Sequence, residues 1–157
     1  MEVVSQVYDS YEVDLIIISH TNQHNLGRVI SLLQLSVARY IGVGFYIHYG
    51  KLLGLSLATE RVCINIDSSV LYNYSLIKGC SELRTLFEGS CCMIGADIWE
   101  ITLVLFDHYR YKCVNMMDIE IWCQSHAGEY PLIANKDLHI SIASSALKGR
   151  DAGADGG

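Results

Sequence analysis

The spacing of apolar residues changes from helical to strand-like at Tyr40, and this change constrains the fold more than any other feature of the sequence. Three short β-rich runs follow one another there, at residues 41–49, 53–59 and 61–67, with Gly50-Lys51 and Glu60-Arg61 at the breaks. Runs of this length that are separated by two-residue turns are typical of antiparallel strands joined by hairpins. The sequence therefore predicts a three-strand antiparallel meander in the middle of the chain.

A second rhythm begins after residue 80, where helical and strand-like segments alternate. An amphipathic segment at 81–87 is closed by Gly89, and an apolar run at 91–96, a helix from about Asp97 to His108 and a strand at 113–119 follow. Alternation of this kind predicts parallel strand pairing with helices packed on the sheet. The predicted fold class is α/β, with a mixed sheet that joins the antiparallel meander to parallel strands. Residues 119–122 and 138–147 are also predicted to be helical.

The amino-terminal region predicts two further elements. A β-rich stretch from Val3 to Ser19 is broken at Asp9-Ser10, which indicates a hairpin, and apolar spacing from Leu26 predicts a helix that ends near Ala38. A chain of 157 residues is long enough for one self-sufficient core. We expect one domain over residues 1–147 and a disordered tail over 148–157, where no apolar side chain larger than Ala occurs after Leu147.

The net charge and the cysteine content limit which partners and which cellular location are expected. The chain has 11 Lys and Arg against 17 Asp and Glu, a net charge of −6, so nucleic acid is expected to be a weak partner at most. No secretory signal and no uncharged apolar stretch of about 18 residues occur, which predicts an intracellular protein of the cytoplasm or nucleus without a membrane span. The six cysteines form no Cys-x-x-Cys pair and are interpreted as reduced core residues. A zinc site from Cys91, Cys92 and His126 is the alternative, which neighbouring cysteines on opposite strand faces disfavour.

The middle of the chain resembles the DEDD 3′–5′ exonuclease family, which has a ribonuclease-H-like fold. The resemblance is to the Werner-syndrome-exonuclease-like branch of that family as found in plants. The resemblance covers about residues 5–120, including an amino-terminal hairpin and helix similar to those of plant members. It rests on the order of short motifs that are similar to the family's strands and helices: Val43-Gly44-Phe45-Tyr46-Ile47-His48, Leu55-Ser56-Leu57-Ala58-Thr59, Arg61 to Ile66, Leu83 to Phe87, Ile94-Gly95-Ala96 and Asn115 to Asp118.

The resemblance implies a site that has lost its chemistry. Exonucleases of this family hold two divalent cations such as magnesium with four carboxylates. The first pair of acids corresponds to Tyr46 and His48, and the third corresponds to Ile101. The fourth comes from a Tyr-x-x-x-Asp pattern, which does not occur among the 39 residues after Asp118. The expected catalytic and metal-binding residues are therefore none, no cofactor is expected, and the domain looks degenerate and shortened at its carboxyl end.

Several alternatives stay open for these residues. Tyr46 and His48 lie on one strand face and either form a packed feature of a former cleft or hold a transition metal with a third ligand. A residual site would use His48, Asp97, Glu100 and Asp118. Asp97 and Glu100 are otherwise explained as favourable charges at a helix amino terminus.

The sequence thus favours a catalytically inactive exonuclease-like domain that acts by binding another protein or by self-association. One alternative is a remnant that binds single-stranded nucleic acid without cutting it, by stacking bases on Tyr40, Phe45, Tyr46, Tyr49 and Tyr72. The other is a weak metal-dependent 3′–5′ exonuclease.

Overall fold

The structure, a computed structural model, describes residues 3–8, 11–35 and 40–125. Its seven strands are β1 (Val3–Tyr8), β2 (Tyr11–Ile18), β3 (Tyr40–His48), β4 (Lys51–Ala58), β5 (Val62–Asp67), β6 (Cys92–Gly95) and β7 (Met116–Asp118). The helices are α1 (Leu26–Leu35), preceded by a 3₁₀ turn (Gln23–Asn25), α2 (Ser68–Leu71), α3 (Tyr74–Gly79), α4 (Ser81–Glu88), α5 (Ile98–Tyr109) and α6 (Ile119–Ser125).

The strands form one mixed sheet in the order β1-β2-β5-β4-β3-β6-β7. Strands β3, β4 and β5 pair antiparallel, which confirms the predicted meander, and β6 and β7 continue the sheet in parallel beside β3. The amino-terminal hairpin β1-β2 is also confirmed, and it joins the opposite side of the sheet through parallel pairing of β2 with β5. The predicted α/β class with a mixed sheet and an extra hairpin is therefore correct.

Alternation along the strands gives the sheet one strongly apolar face. On β3, Ile41 and Val43 are buried in the core, whereas Gly42, Tyr46 and His48 are exposed on the other face. Helices α1 to α5 all contribute buried side chains to the same core cluster. Each fully buried Leu or Ile contributes about 1.5–3 kcal/mol to stability, so this face fixes the register of β3 and with it the positions of Tyr46 and His48.

Two buried tyrosines, at the end of α5 and just after it, donate hydrogen bonds to helices α2 and α3. The hydroxyl of Tyr109 donates to the carbonyl of Leu71 at 2.7 Å, and that of Tyr111 donates to the carbonyl of Ile77. Arg84 lies over the Tyr111 ring, 4.7 Å from its centroid, and donates to the carbonyl of Tyr109. These contacts satisfy carbonyl groups near the ends of two short helices, which otherwise lack intrahelical partners.

The structure corrects two features of the sequence prediction. The strand predicted at 113–119 is limited to Met116–Asp118, because the chain before it is held as a loop by Tyr111 and by the Val114 amide, which donates to the carbonyl of Phe87. Helices α2 and α3 were not predicted, since four and six residues are too short to show a helical period. The helix predicted at 138–147, the domain limit at 147 and the tail at 148–157 lie outside the described residues.

The six cysteines carry no disulfide in the structure. Among the described residues, no helix combines the length and apolar character needed to cross a membrane.

Candidate functional site

Tyr46 and His48 lie on the solvent-facing side of β3, on the same face as the sequence predicted. Their rings are stacked, with centroids 6.2 Å apart and planes inclined by 12°. A register irregularity between Tyr46 and Ile47 interrupts the pairing of β3 with β4 but leaves both side chains on the exposed face. Tyr46 is 52% exposed and His48 is exposed as well, so the two rings pack on each other and not inside the sheet.

The β3-β4 turn extends this pair into an exposed aromatic cluster. Tyr49 and Gly50 both have positive φ, 50° and 73°, so the two-residue turn matches the twist of the flanking strands. Tyr49 is 91% exposed, and its ring meets that of His48 edge to face at 4.2 Å. A bulky aromatic residue at positive φ is unfavourable. Tyr46, His48 and Tyr49, called the hairpin cluster below, thus present three rings to solvent.

Ile101 lies in a different environment from the hairpin cluster. It is completely buried and belongs to the core on the helix-covered face, with Ile98 and Leu105 of the same helix. Tyr46 and His48 are on the other face of the sheet. The three positions that the resemblance assigns to acids therefore lie on opposite faces of the sheet and do not converge, and Ile101 supplies no ligand.

Asp97, Glu100 and Asp118 are brought towards one edge of the sheet. Asp118 ends β7 and pairs with Gly95 at the end of β6, and Asp97 follows two residues later with a φ of 52°. Asp118 already has a structural task, because its Oδ1 accepts from the Glu120 amide at 2.9 Å and so caps α6. Glu100 is exposed in the first turn of α5, where a negative charge favours the helix dipole.

His48 does not reach these acids. Gly95 lies level with Val43, since Gly42 pairs with Ile94 and the Val43 carbonyl faces Gly95. His48 is five residues further along β3, roughly 16 Å at the rise of an extended strand. Asp118 stands beside Gly95, two strands from β3. Ligands of one cation lie about 2–2.6 Å from it, so His48 and Asp118 cannot share an ion.

The described residues contain no group of three or more His, Cys, Asp or Glu side chains that could hold a metal ion. The side chains at the positions that the resemblance assigns to acids also lack the required chemistry, because magnesium requires oxygen ligands and charge. A phenol, an imidazole and a buried isoleucine do not fit a pair of divalent cations. Sequence reasoning missed Asp67, which lies in the same cross-strand row as Tyr46 and Gly54, but its carboxylate caps α2 through the Ser68 amide at 2.8 Å.

The cysteine pair is divided between the two faces of the sheet. Cys91 packs against the core and Cys92 is buried elsewhere. Burial raises the pKa of both thiols, and for Cys91 the neighbouring Cys92 adds to the effect. Because the two side chains lie in different environments, they do not converge on one zinc ion. His126, the third proposed ligand, lies outside the described residues.

The five aromatic residues predicted to stack bases are not equivalent. Tyr46, Tyr49 and Tyr72 are more than half exposed. Phe45 packs against the core, and Tyr40 makes an edge-to-face contact with Trp122 at 5.8 Å. Of the five residues, Tyr46, Tyr49 and Tyr72 therefore offer the most exposed rings for stacking.

Comparison with known proteins shows the fold. No family model and no curated protein matches the chain. The EXD2 exonuclease domain soaked in Mg and dGMP is similar, with a TM-score of 0.55 and 13% identity, over 78% of this chain and 64% of that one. The unsoaked EXD2 exonuclease domain gives 0.53 and 14%, over 73% and 60%. The catalytic core of RRP6 from Trypanosoma brucei gives 0.55 and 16%, over 71% and 30%.

These likenesses establish a ribonuclease-H-like exonuclease fold for the sheet and its helices. The chain spans less than two thirds of the EXD2 domains and under a third of the RRP6 core. At such low identity the likeness extends to the fold alone.

Proposed function

We propose that this chain is a catalytically inactive 3′–5′ exonuclease-like domain, related to the Werner-like branch, that acts by binding protein. The proposal rests on the side chains found at three positions where the resemblance predicts catalytic acids. Tyr46 and His48, which the resemblance aligns with the first pair of acids, lie on an exposed strand face, and Ile101, which it aligns with the third, is buried in the core. Two-metal hydrolysis needs carboxylates that converge from these positions on one pair of ions.

Protein binding is favoured over other roles by the distribution of apolar side chains. Helix α5 buries Ile98, Ile101 and Leu105 on one side and exposes Trp99, Leu103 and Phe106 on the other. Large exposed apolar groups that are adjacent on one element mark interaction surfaces more often than chance exposure does.

A nuclease assay tests the loss of activity. A 5′-labelled single-stranded oligonucleotide is incubated with the protein and magnesium, manganese or zinc, beside an active exonuclease. We expect no shortened products above the level of a protein-free control. Products that disappear on chelation and in the His48→Ala variant would overturn the proposal and establish the metal-dependent alternative.

The hairpin cluster favours a second candidate function, binding of single-stranded nucleic acid without cleavage. Tyr46 and His48 stack, and Tyr49 adds a third exposed ring beside Lys51. Base stacking on one aromatic side chain is worth about 1–3 kcal/mol, and the net charge of −6 opposes it. Fluorescence anisotropy with labelled DNA and RNA at low salt tests this candidate. Binding that Tyr49→Ala weakens and Leu32→Ala leaves unchanged would support it, and no change in anisotropy at tens of micromolar would exclude it.

A further inference from the structure

The outer side of α5 carries a continuous apolar stripe. Trp99, Leu103 and Phe106 are spaced by four and three residues, so they lie above one another on one helix face. They are 63%, 71% and 45% exposed. Arg110 continues the stripe one turn further, with its guanidinium 5.4 Å from the centroid of the Phe106 ring. These four residues are called the α5 stripe below.

Charges at the two ends of the α5 stripe have opposite sign, except that Asp107 places an exposed acid near the carboxyl-terminal end. Asp97 and Glu100 are exposed at the amino-terminal end, and Arg110 and Lys112 are exposed at the carboxyl-terminal end. A parallel neighbour would bring like charges together. An antiparallel copy of the same helix would place the acidic end of each helix against the basic end of the other, and would also oppose the two helix dipoles.

We propose that the α5 stripe is a self-association surface, on which a second copy of this chain packs with its own α5 antiparallel about a two-fold axis. This inference rests on the proposed function and names the partner for it. Leu103 of each copy faces Phe106 of the other, Trp99 faces Arg110, and Glu100 lies beside the same Arg110. Asp107 stands at the margin, where it contacts His108 at 3.2 Å and lies opposite Thr102.

The exposed area suits a weak, reversible dimer. The three apolar side chains present roughly 400 Å² per copy, so the stripe and its flanking charges together bury on the order of 1,000 Å². That is the low end of the range for specific interfaces, and we expect a dissociation constant of roughly 10–100 µM.

Sedimentation velocity on the whole chain from about 1 to 500 µM tests the proposal. We expect a monomer–dimer equilibrium that Leu103→Glu weakens at least about tenfold. Leu32→Glu is the matched control, because it places the same charge at a partly exposed leucine of α1. Equal weakening by both variants would overturn the proposal, as would a monomer at every concentration. Circular dichroism of each variant ensures that folded protein is compared.

Charge reversal distinguishes the antiparallel arrangement from any other packing of the same stripe. Glu100→Arg and Arg110→Glu should each weaken the dimer, and the double variant should restore it to within about threefold, because two-fold symmetry exchanges both ends. A double variant as weak as the two single ones would refute the arrangement. A monomeric chain without nuclease activity would leave the proposed function intact, whereas a dimeric chain with chelator-sensitive activity would refute the proposed function alone.

Discussion

Replacing Gly95 by alanine tests the contact that places β3, and the hairpin cluster at its end, in the sheet. A Cβ atom at Gly95 would lie 2.5 Å from the carbonyl oxygen of Val43 and 3.1 Å from Cδ1 of Ile98. The Val43 oxygen belongs to the backbone of the neighbouring strand and cannot rotate away. The Gly95→Ala variant must therefore separate β6 from β3 or displace the start of α5.

The cost follows from the size of that displacement. An ordinary contact of the added Cβ needs about 0.9 Å more than the structure allows, and overpacking of a well-packed core costs about 1–3 kcal/mol. A weakened ladder hydrogen bond adds about 0.5–1.5 kcal/mol, and the lower backbone entropy of alanine returns about 0.5–1 kcal/mol. The net loss is about 2–3 kcal/mol, or a melting temperature lower by about 5–10 °C for a domain of this size.

Gly42→Ala is the matched control. Gly42 lies in β3 and pairs with Ile94, the residue before Gly95, but its added Cβ would meet only Ala58 atoms at 3.7 and 4.0 Å. We expect this variant to be as stable as the wild type or slightly more stable. Urea unfolding followed by circular dichroism measures both. A Gly95→Ala protein with the wild-type midpoint would show that β3 and β6 do not approach each other this closely. The strand alignment that separates His48 from Asp118 would then also be refuted.

Three further predictions concern the core and the hairpin cluster. Tyr109→Phe leaves the Leu71 carbonyl without its buried donor and should cost about 1–2 kcal/mol in urea unfolding, whereas an unchanged midpoint would show that this bond contributes nothing. Burial raises the pKa of the Cys113 thiol to about 11, whereas the unfolded thiol ionises near pH 9. The free energy of unfolding should therefore keep this contribution below pH 9 and lose it between about pH 9 and 11. The fall should be less steep in Cys113→Ala, and parallel pH profiles for the two proteins would contradict this. The Tyr46→Asp/His48→Glu variant should lose about 0.5–1 kcal/mol through like-charge repulsion on an exposed strand face, and a gain of several degrees in its melting temperature on adding magnesium would show that a cation site persists.

The sheet was predictable because its information is local. Short breaks between β-rich runs define the hairpins of β3, β4 and β5, and alternation of helix and strand defines the parallel pairing of β6 and β7. The turns themselves differ from the prediction, because the first is Tyr49-Gly50 with Lys51 already in β4, and the second has the three residues 59–61. Helices α2 and α3 were not predicted, because they are too short to show a helical period in the sequence. Their one local indication was the pair of capping residues Asp67 and Asn73, whose side chains accept from the Ser68 and Leu76 amides.

The candidate site was only partly predictable, because part of it depends on register. A period of two is enough to place Tyr46 and His48 on one face. The distance between His48 and Asp118 is set by how β3, β6 and β7 are aligned, which no local pattern contains. The exposure of the hairpin cluster likewise depends on how far β3 runs beyond the end of β6.

The burial of Ile101 shows how the packing of α5 restricts the side chain at position 101. Ile101, Ile98 and Leu105 recur at helical spacing and together fill the core beneath the sheet. A carboxylate at position 101 would be buried without a counter-charge, a change that costs several kcal/mol even after the group takes up a proton. The apolar side chain is thus what the packing of α5 requires, and the same packing turns Trp99, Leu103 and Phe106 outwards. One choice of helix register therefore both buries Ile101 and exposes the apolar stripe through which, on our proposal, the domain associates.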